Sequence, residues 1–364
     1  MKLEGDDLLH LATGAAFLGA GGGGDPYLGR LLARAAIDEF GAPELCRPED
    51  VPDTARVLTI AMLGAPTIML EKALAGEEVD LAIRRLEAHL GETADYLMPL
   101  EIGGINSLVP IMAAARLGLP LIDADGMGRA FPELQMTTFN AHGVSTTPLA
   151  LTDDHGTWLL LEAPDAGSAE AMIRTVSVAL GCSAVLCSYP MTGRQARECT
   201  VHGTLSVARD VGRAIHSGSR SVDPVAALMD LLRSTPYYAQ CRLLFDGRVV
   251  DVRREVEGGF SVGYVRLAHL EDRARSMQIV FQNEFLLARE GERLRAIVPD
   301  LVCLVERETA QPVLADQVRY GQRLKVLGVS APPVMRSPES LSIFGPRAFG
   351  LEEAFVPLES LADG

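Results

Sequence analysis

Long apolar runs and paired cysteines are both missing from this chain. No stretch reaches the ~20 consecutive apolar residues that a helix needs to span a bilayer. The six cysteines contain no CxxC pair, and the phosphate-loop pattern GxxxxGK[ST] does not occur. The lack of a long apolar run argues against a membrane-spanning helix, and the lack of the phosphate-loop pattern argues against a P-loop ATPase. The lack of CxxC pairs indicates free thiols in a reducing compartment.

Basic residues are also scarce. The chain carries 33 Lys and Arg against 48 Asp and Glu, which gives a formal net charge of -15. Because nucleic-acid binding depends on basic patches, this balance disfavours a nucleic-acid partner. Asp6 and Asp7 stand where a signal peptide would carry basic residues. We therefore expect a cytoplasmic protein that binds a small molecule, has no membrane partner and assembles as a homo-oligomer.

The first half of the chain alternates between strand-like and helix-like segments. Apolar runs predict buried strands over 56–63, 96–102 and 119–124, and helical spacing predicts helices over 6–18, 26–40, 68–90 and 106–117. Such alternation is typical of a parallel sheet covered by helices on both faces. We expect an α/β domain over residues 1–165.

The second half changes character. The sequence predicts helices over 168–180 and 204–216 with a strand over 184–189 between them, and residues 237–330 are then mainly β-like. The Asp246-Gly247 pair between two β-like runs predicts a hairpin turn. We expect a β-rich domain, a barrel or a sandwich, over residues 166–364.

Glycine is abundant, with 35 residues, and it is clustered. The densest run, Gly21, Gly22, Gly23 and Gly24, precedes Asp25-Pro26, which predicts the N-cap and first residue of a helix. Loop amides beside a helix N-terminus suit an oxyanion or a carboxylate, so these glycines are candidate substrate-binding residues. Two other interpretations stay open. One is a tight turn for close packing; the other is a dinucleotide loop, since the letters match GxGxxG but follow a helix-like segment.

Polar side chains follow the second predicted strand. Glu101 lies near its end, and Asn106 and Ser107 open the next helix-like segment. In open α/β sheets, ligands bind at the carboxyl ends of the strands. Glu101 is therefore a candidate acid, base or metal ligand. Asn106 is a candidate substrate-binding residue or only a helix cap.

The densest group of charges, Asp123, Asp125, Arg129 and Glu133, follows the third predicted strand. Asp123 and Asp125 point the same way if the chain stays extended, which suits sharing a proton or holding a divalent cation. Arg129 is a candidate clamp for a substrate carboxylate, and Glu133 is a further substrate-binding candidate. The alternative is a salt-bridged loop.

Histidines are few, seven in all. His142 follows the acidic group most closely in sequence, which makes it a candidate general base or metal ligand. Together with Asp123 and Asp125 it forms a candidate metal site, and a divalent metal such as zinc is the candidate cofactor.

Several segments together resemble a known family. They are GAGGGGDPYLG, PLEIGGINSLVP, GLPLIDADGMGRAFPELQMTTF, VPDLVCLVERETAQPV and GPRAFG, in this order over about residues 5–357. They resemble the DUF917 family of S-methyl-thiohydantoin desulfurase-like proteins. The resemblance implies an N-terminal three-layer α/β domain, a C-terminal β-rich domain and a setting among hydantoinase- and oxoprolinase-type enzymes. It implies Glu101, Asn106, Asp123, Asp125, Arg129 and Glu133 as site positions.

Three functions remain open at this point. The leading hypothesis is a hydrolase of a thiohydantoin- or hydantoin-like ring, in which Asp123 or Asp125 activates water directly or through a metal. It leads because acidic groups follow two successive strands. The second is a non-catalytic partner or regulatory subunit of a hydantoinase-type system. The third is a nucleotide-dependent oxidoreductase that uses the glycine run.

Overall fold

A computed structural model describes residues 2–64, 68, 72, 74–218, 223–272 and 274–361 of the chain. These residues form a mixed α/β fold with two large sheets. Their helices are α1 Asp7–Leu18, α2 Pro26–Phe40, α3 Glu77–Leu90, α4 Val109–Leu117, α5 Thr138–Ala141, α6 Ala166–Ala179, α7 Gly193–Glu198, α8 Thr204–Gly218, α9 Pro224–Ser234 and α10 Pro338–Phe344. Their strands are β1 Leu45–Cys46, β2 Arg56–Gly64, β3 Tyr96–Pro99, β4 Leu121–Ile122, β5 Ala124–Asp125, β6 Leu149–Thr152, β7 Trp158–Leu161, β8 Ser183–Thr192, β9 Val201–His202, β10 Cys241–Glu257, β11 Phe260–His269, β12 Ser276–Gln282, β13 Glu284–Glu290, β14 Arg293–Ile297, β15 Leu301–Glu306 and β16 Arg323–Val329.

The first sheet has the strand order β1-β4-β3-β2-β8-β6-β7. Its first four strands are parallel, as the alternating pattern predicts, and β8, β6 and β7 join antiparallel. Strand β8 comes from beyond residue 165, and helix α8 from the same part of the chain packs on α1. The two helices pack closely because Gly14 has no side chain, and the backbone of Ala208 occupies the space that a side chain would need.

The second sheet is antiparallel, has the order β14-β13-β12-β11-β10-β16-β15 and curls into a half-barrel, which confirms the predicted β-rich region. The predicted turn at Asp246-Gly247 is wrong. These two residues continue β10 and pair with Lys325 and Leu324 of β16, so cross-strand hydrogen bonds override the local turn signal. The turn lies instead between β10 and β11, and the GFSVG segment at 259–263 that follows matches GxSxG without the strand-to-helix elbow of a hydrolase nucleophile.

The predicted helix starts in the N-terminal region agree with the structure in part. Asp25 caps α2, accepting a hydrogen bond from the Tyr27 amide at 2.8 Å, with Pro26 as first residue, so this prediction is confirmed. The helix predicted over 6–18 is α1, Asp7–Leu18. The helix predicted over 68–90 begins at Glu77, and part of the earlier range lies outside the described residues.

One hydrophobic core joins the helices to both sheets, and a second core fills the curled sheet. Within the described part of the chain, no helix is both long and apolar enough to cross a membrane. All six cysteines are free, in line with the sequence.

Candidate active site

The loops that follow β3 and β4 lie side by side at the carboxyl edge of the parallel strands. The Gly126 amide donates to the Leu100 carbonyl at 3.0 Å, and the Ile102 amide donates to Oδ2 of Asp125 at 3.0 Å. The structure therefore brings Glu101 and Asp125 into one region, as strand ends in an open α/β sheet predict.

Asp123 and Asp125 bind different elements. Asp123 caps α8, because its Oδ1 accepts from the Leu205 and Ser206 amides at 3.0 and 3.2 Å and its Oδ2 accepts from the Ser206 hydroxyl at 2.5 Å. Burial raises the pKa of Asp123, and the Ser206 hydrogen bonds oppose that rise. Both oxygens of Asp123 thus serve the start of a helix.

Asp125 holds its own loop together. Its Oδ2 accepts from the amides of Ile102, Met127 and Gly128 at 2.8 to 3.0 Å. The side chain is fully buried, and burial raises its pKa to about 7 against the effect of the Met127 and Gly128 hydrogen bonds. Three backbone donors on one carboxylate oxygen make Asp125 a structural anchor of the strand-end loops.

Glu101 is held from two sides. Its Oε1 accepts from Nδ2 of Asn106 at 2.7 Å and its Oε2 accepts from the Phe131 amide at 3.2 Å. Glu101 is 5% exposed, whereas Asn106 beside it is only half-buried. Burial raises the pKa of Glu101 to about 8, and the hydrogen bonds from Asn106 and Phe131 oppose that rise. A carboxyl that titrates near neutral pH suits proton transfer.

Arg129 is fully buried, and its guanidinium donates hydrogen bonds to backbone carbonyls. Nε donates to the Ala130 carbonyl at 3.1 Å, Nη1 to the Asp300 carbonyl at 3.1 Å and Nη2 to the Phe285 carbonyl at 2.9 Å. Burial lowers the pKa of Arg129 to about 10, opposed most strongly by the charge of Glu284, so it remains a cation at neutral pH. Its contribution to the site is therefore a fixed positive charge, since its hydrogen-bonding edges are engaged.

The two remaining predicted residues, Glu133 and His142, have other partners. Glu133 is half-buried and accepts from Nε2 of Gln135 at 2.7 Å; burial and the charge of Glu170 raise its pKa. His142 follows α5 and acts electrostatically on Glu339 of α10. Among the residues that the structure describes, no three His, Cys, Asp or Glu side chains are grouped to hold a metal ion. The predicted trio of Asp123, Asp125 and His142 thus does not form a fitting donor set.

The glycine run is held between the two halves of the molecule. The carbonyls of Ala20 and Gly21 accept from the amides of Phe285 and Ala315, and the Gly23 carbonyl accepts from Ile105 at 2.9 Å. The backbones of Gly23 and Gly103 approach so closely that a side chain on either would overlap its neighbours. This supports the packing interpretation of the run. The run follows α1, not a strand, so the βαβ context of a dinucleotide loop is missing.

Glu284 is a buried carboxyl that no sequence motif indicates. It follows Asn283, which takes a left-handed φ of 57°, in the tight turn between β12 and β13. Glu284 is 2% exposed, and its Oε2 is buried without a hydrogen-bond partner among the described residues. An Asn-Glu pair between two strands is typical of an exposed turn, so only the apolar Phe285-Leu286-Leu287 run directly after it signals burial.

Comparison with known proteins assigns the family. The model described as S-Me-THD-like, N-terminal domain, matches residues 6–163, and the model described as S-Me-THD-like, C-terminal domain, matches residues 164–358. The chain belongs to the S-Me-THD-like family. Its fold matches the crystal structure of a structural-genomics protein from Chromobacterium violaceum at 26% identity, with a TM-score of 0.81, covering 98% of this chain and all of the other. No curated protein matches the chain.

Both S-Me-THD-like regions contribute to one buried group. Glu101 and Arg129 come from the N-terminal match and Glu284 from the C-terminal match. Burial and the charge of Glu101 raise the pKa of Glu284 well above its usual range, and the Arg129 charge opposes this. We call Glu101, Arg129 and Glu284 the carboxyl–arginine cluster. It places two carboxyls and one cation together in a dry environment, where their interactions are strong.

Proposed function

We propose that this protein is a hydrolase of a small five-membered cyclic amide, such as a thiohydantoin or hydantoin derivative, with Glu101 as the general base. The family supports a thiohydantoin-related role. The observation that carries the proposal is the Glu101 carboxyl, which lies at the end of β3, is oriented by Asn106 and has its pKa raised to about 8 by burial.

The hydrogen bonds favour Glu101 over the two aspartates as the base. Both oxygens of Asp123 are engaged by α8, and Oδ2 of Asp125 holds the strand-end loops through three backbone amides. Glu101 accepts only one backbone hydrogen bond, and its other partner is the half-buried side chain of Asn106. Removal of Glu101's carboxyl function therefore changes the chemistry with the least change to the loops.

Ring hydrolysis needs a base for water and stabilisation of the charge that develops on the ring. Ionised Glu101 takes a proton from water as the water oxygen bonds to the ring carbon. The fixed charge of Arg129 favours the ionised form of Glu101. Gly23 and Gly24 are half-buried beside Ile105, which follows Glu101 closely in the chain, so we assign a substrate contact to this part of the glycine run.

The test is turnover of hydantoin and S-methyl-thiohydantoin by the wild type and by Glu101→Gln. Product is followed by chromatography with mass detection. The matched control is Glu78→Gln, because Glu78 is equally buried but accepts from the Ala75 and Gly76 amides at the start of α3. We expect turnover to fall by about 10²–10⁴ in Glu101→Gln only. Full turnover by Glu101→Gln, or none by the wild type on either ring, contradicts the proposal.

A further inference from the structure

We infer that Glu284 is a second catalytic carboxyl, which gives its proton to the leaving group while Glu101 takes one from water. This inference rests on the proposed hydrolase function and extends it to a residue of the C-terminal region. The site then contains residues from both matched regions, since neither region contains both carboxyls.

The geometry of Glu284 is the first argument. Glu284 is 2% exposed, yet its Oε2 has no hydrogen-bond partner among the described residues. A buried polar atom without a partner costs about 1–3 kcal/mol, and a carboxyl that donates its proton to a bound substrate accounts for one here. The turn that carries Glu284 is fixed by Arg129, whose Nη2 donates to the next carbonyl, that of Phe285, at 2.9 Å.

The charge balance of the carboxyl–arginine cluster is the second argument. The hydrogen bonds of Arg129 go to uncharged carbonyls, so its buried cation is balanced by charges that it does not contact directly. Asp300 also acts on Arg129, but Asp300 is paired with Arg336 at 2.6 Å. A buried unbalanced charge is strongly destabilising. Ionised Glu101 provides the balance once the pH reaches its pKa of about 8, and Glu284 keeps its proton.

The groups around each carboxyl decide which one ionises. Glu101 faces Asp125, Arg129 and Glu284, and Glu284 faces Glu101, Arg129 and Arg174. Burial raises both pKa values. Two hydrogen bonds favour the charged form of Glu101, whereas Oε2 of Glu284 accepts none among the described residues, and the charge of Glu101 opposes ionisation of Glu284. Glu101 therefore ionises first and is the base, while Glu284 stays protonated and is the acid. Two carboxyls with separated pKa values are how hydrolases hold an acid and a base at one pH.

The proton transfers balance over one turnover. The water oxygen bonds to the ring carbon, and the water proton passes to the Glu101 carboxylate. The bond from that carbon to the ring nitrogen, or to the methylthio sulfur, breaks, and the leaving atom takes the proton of Glu284. Transfer of a proton from Glu101 to Glu284 then restores the starting state. Water is the only co-reactant, and no oxidant or reductant is needed.

The activity test compares Glu284→Gln with Glu290→Gln on the same rings. Gln has the shape of a protonated Glu but supplies no transferable proton, so a purely structural role tolerates it. We expect Glu284→Gln to lose about 10²–10⁴ in kcat at an unchanged melting temperature. Glu290 lies at the end of the same strand in ion pairs with Arg275 and Arg295, and its variant should keep kcat. Wild-type kcat in Glu284→Gln overturns the inference.

A second measurement needs no substrate. NMR titration of isotope-labelled glutamate carboxyl carbons follows each group, and each signal is assigned by its loss in the matching Gln variant. We expect Glu284 to be protonated at pH 7 and its pKa to fall by about one unit or more in Glu101→Gln. An ionised Glu284 at pH 7, or a pKa indifferent to Glu101→Gln, overturns the inference. Coupled titration in a protein that hydrolyses neither ring supports the pair and overturns the hydrolase function alone.

Discussion

Asn106 connects Glu101 to the end of strand β2. Its Nδ2 donates to Oε1 of Glu101 at 2.7 Å, and its Oδ1 accepts from the Met62 amide at 2.7 Å. A single side-chain amide thus fixes the carboxyl that follows β3 to the neighbouring parallel strand.

Replacing Asn106 should disturb the base without removing it. In Asn106→Ala, Glu101 loses a hydrogen bond that favours its charged form, so its pKa rises and the alkaline rise of the kcat profile moves to higher pH. Misplacement of the carboxyl should cost up to about a hundredfold in kcat. The control is Asn140→Ala, since Asn140 binds the Gln135 carbonyl instead. An unshifted pH profile in Asn106→Ala would show that Asn106 does not orient the base.

The sequence predicts those features whose cause is local. Asp25-Pro26 specifies the start of α2, and strand ends predict that the Glu101 and Asp125 loops meet, because parallel strands present one carboxyl edge. Strand β10 differs from its prediction because pairing with β16, far along the chain, keeps Asp246-Gly247 extended. Glu284 escapes prediction for the same reason, since its burial depends on contact with a glycine run more than 250 residues earlier.

The sequence predicts that Asp123 or Asp125 activates water, whereas the hydrogen bonds of Asp123 indicate a helix cap. Asp123→Ala removes the cap of α8, which should lower the free energy of unfolding by about 0.5–2 kcal/mol while leaving kcat unchanged. Denaturant unfolding and ring turnover check the two quantities. Asp165→Ala is the matched control, because Asp165 caps α6 through the Ser168 amide and should give a similar loss. Loss of kcat at unchanged stability would restore Asp123 as the base.

Stability should fall as the pH rises from acidic to mildly alkaline values. The pKa of Glu101 is 4.5 in the unfolded chain and about 8 in the folded protein, and the pKa of Asp125 is 3.8 and about 7 in the same two states. Between these values the folded state binds more protons than the unfolded state, so unfolding releases protons and becomes easier with increasing pH. Each such group contributes a slope of up to about 1.4 kcal/mol per pH unit within its window.

Denaturant midpoints measured between pH 5 and pH 8 check this slope. Glu101→Gln removes one of the contributing groups, so its stability should depend less on pH than that of the wild type. A stability that rises across this pH range would contradict the raised pKa values of both carboxyls.

Gly22 tests the position of Glu284 without changing any titratable group. A Cβ on Gly22 would overlap Oε1 of Glu284, and Gly22 lacks the positive φ that would strain an alanine. Gly22→Ala should therefore push the Glu284 carboxyl out of place and lower kcat, to a degree comparable with Glu284→Gln. Gly167→Ala is the control, because Gly167 is exposed and a Cβ there meets nothing closer than 3.4 Å. This variant should keep the wild-type kcat. The same overlap should make Gly22→Ala less stable than the wild type. In a double-variant cycle with Glu284→Ala, which removes the overlapping carboxyl, this loss of stability should largely disappear, because the two groups are in contact. Additive stability losses would place the overlap elsewhere and separate Gly22 from Glu284.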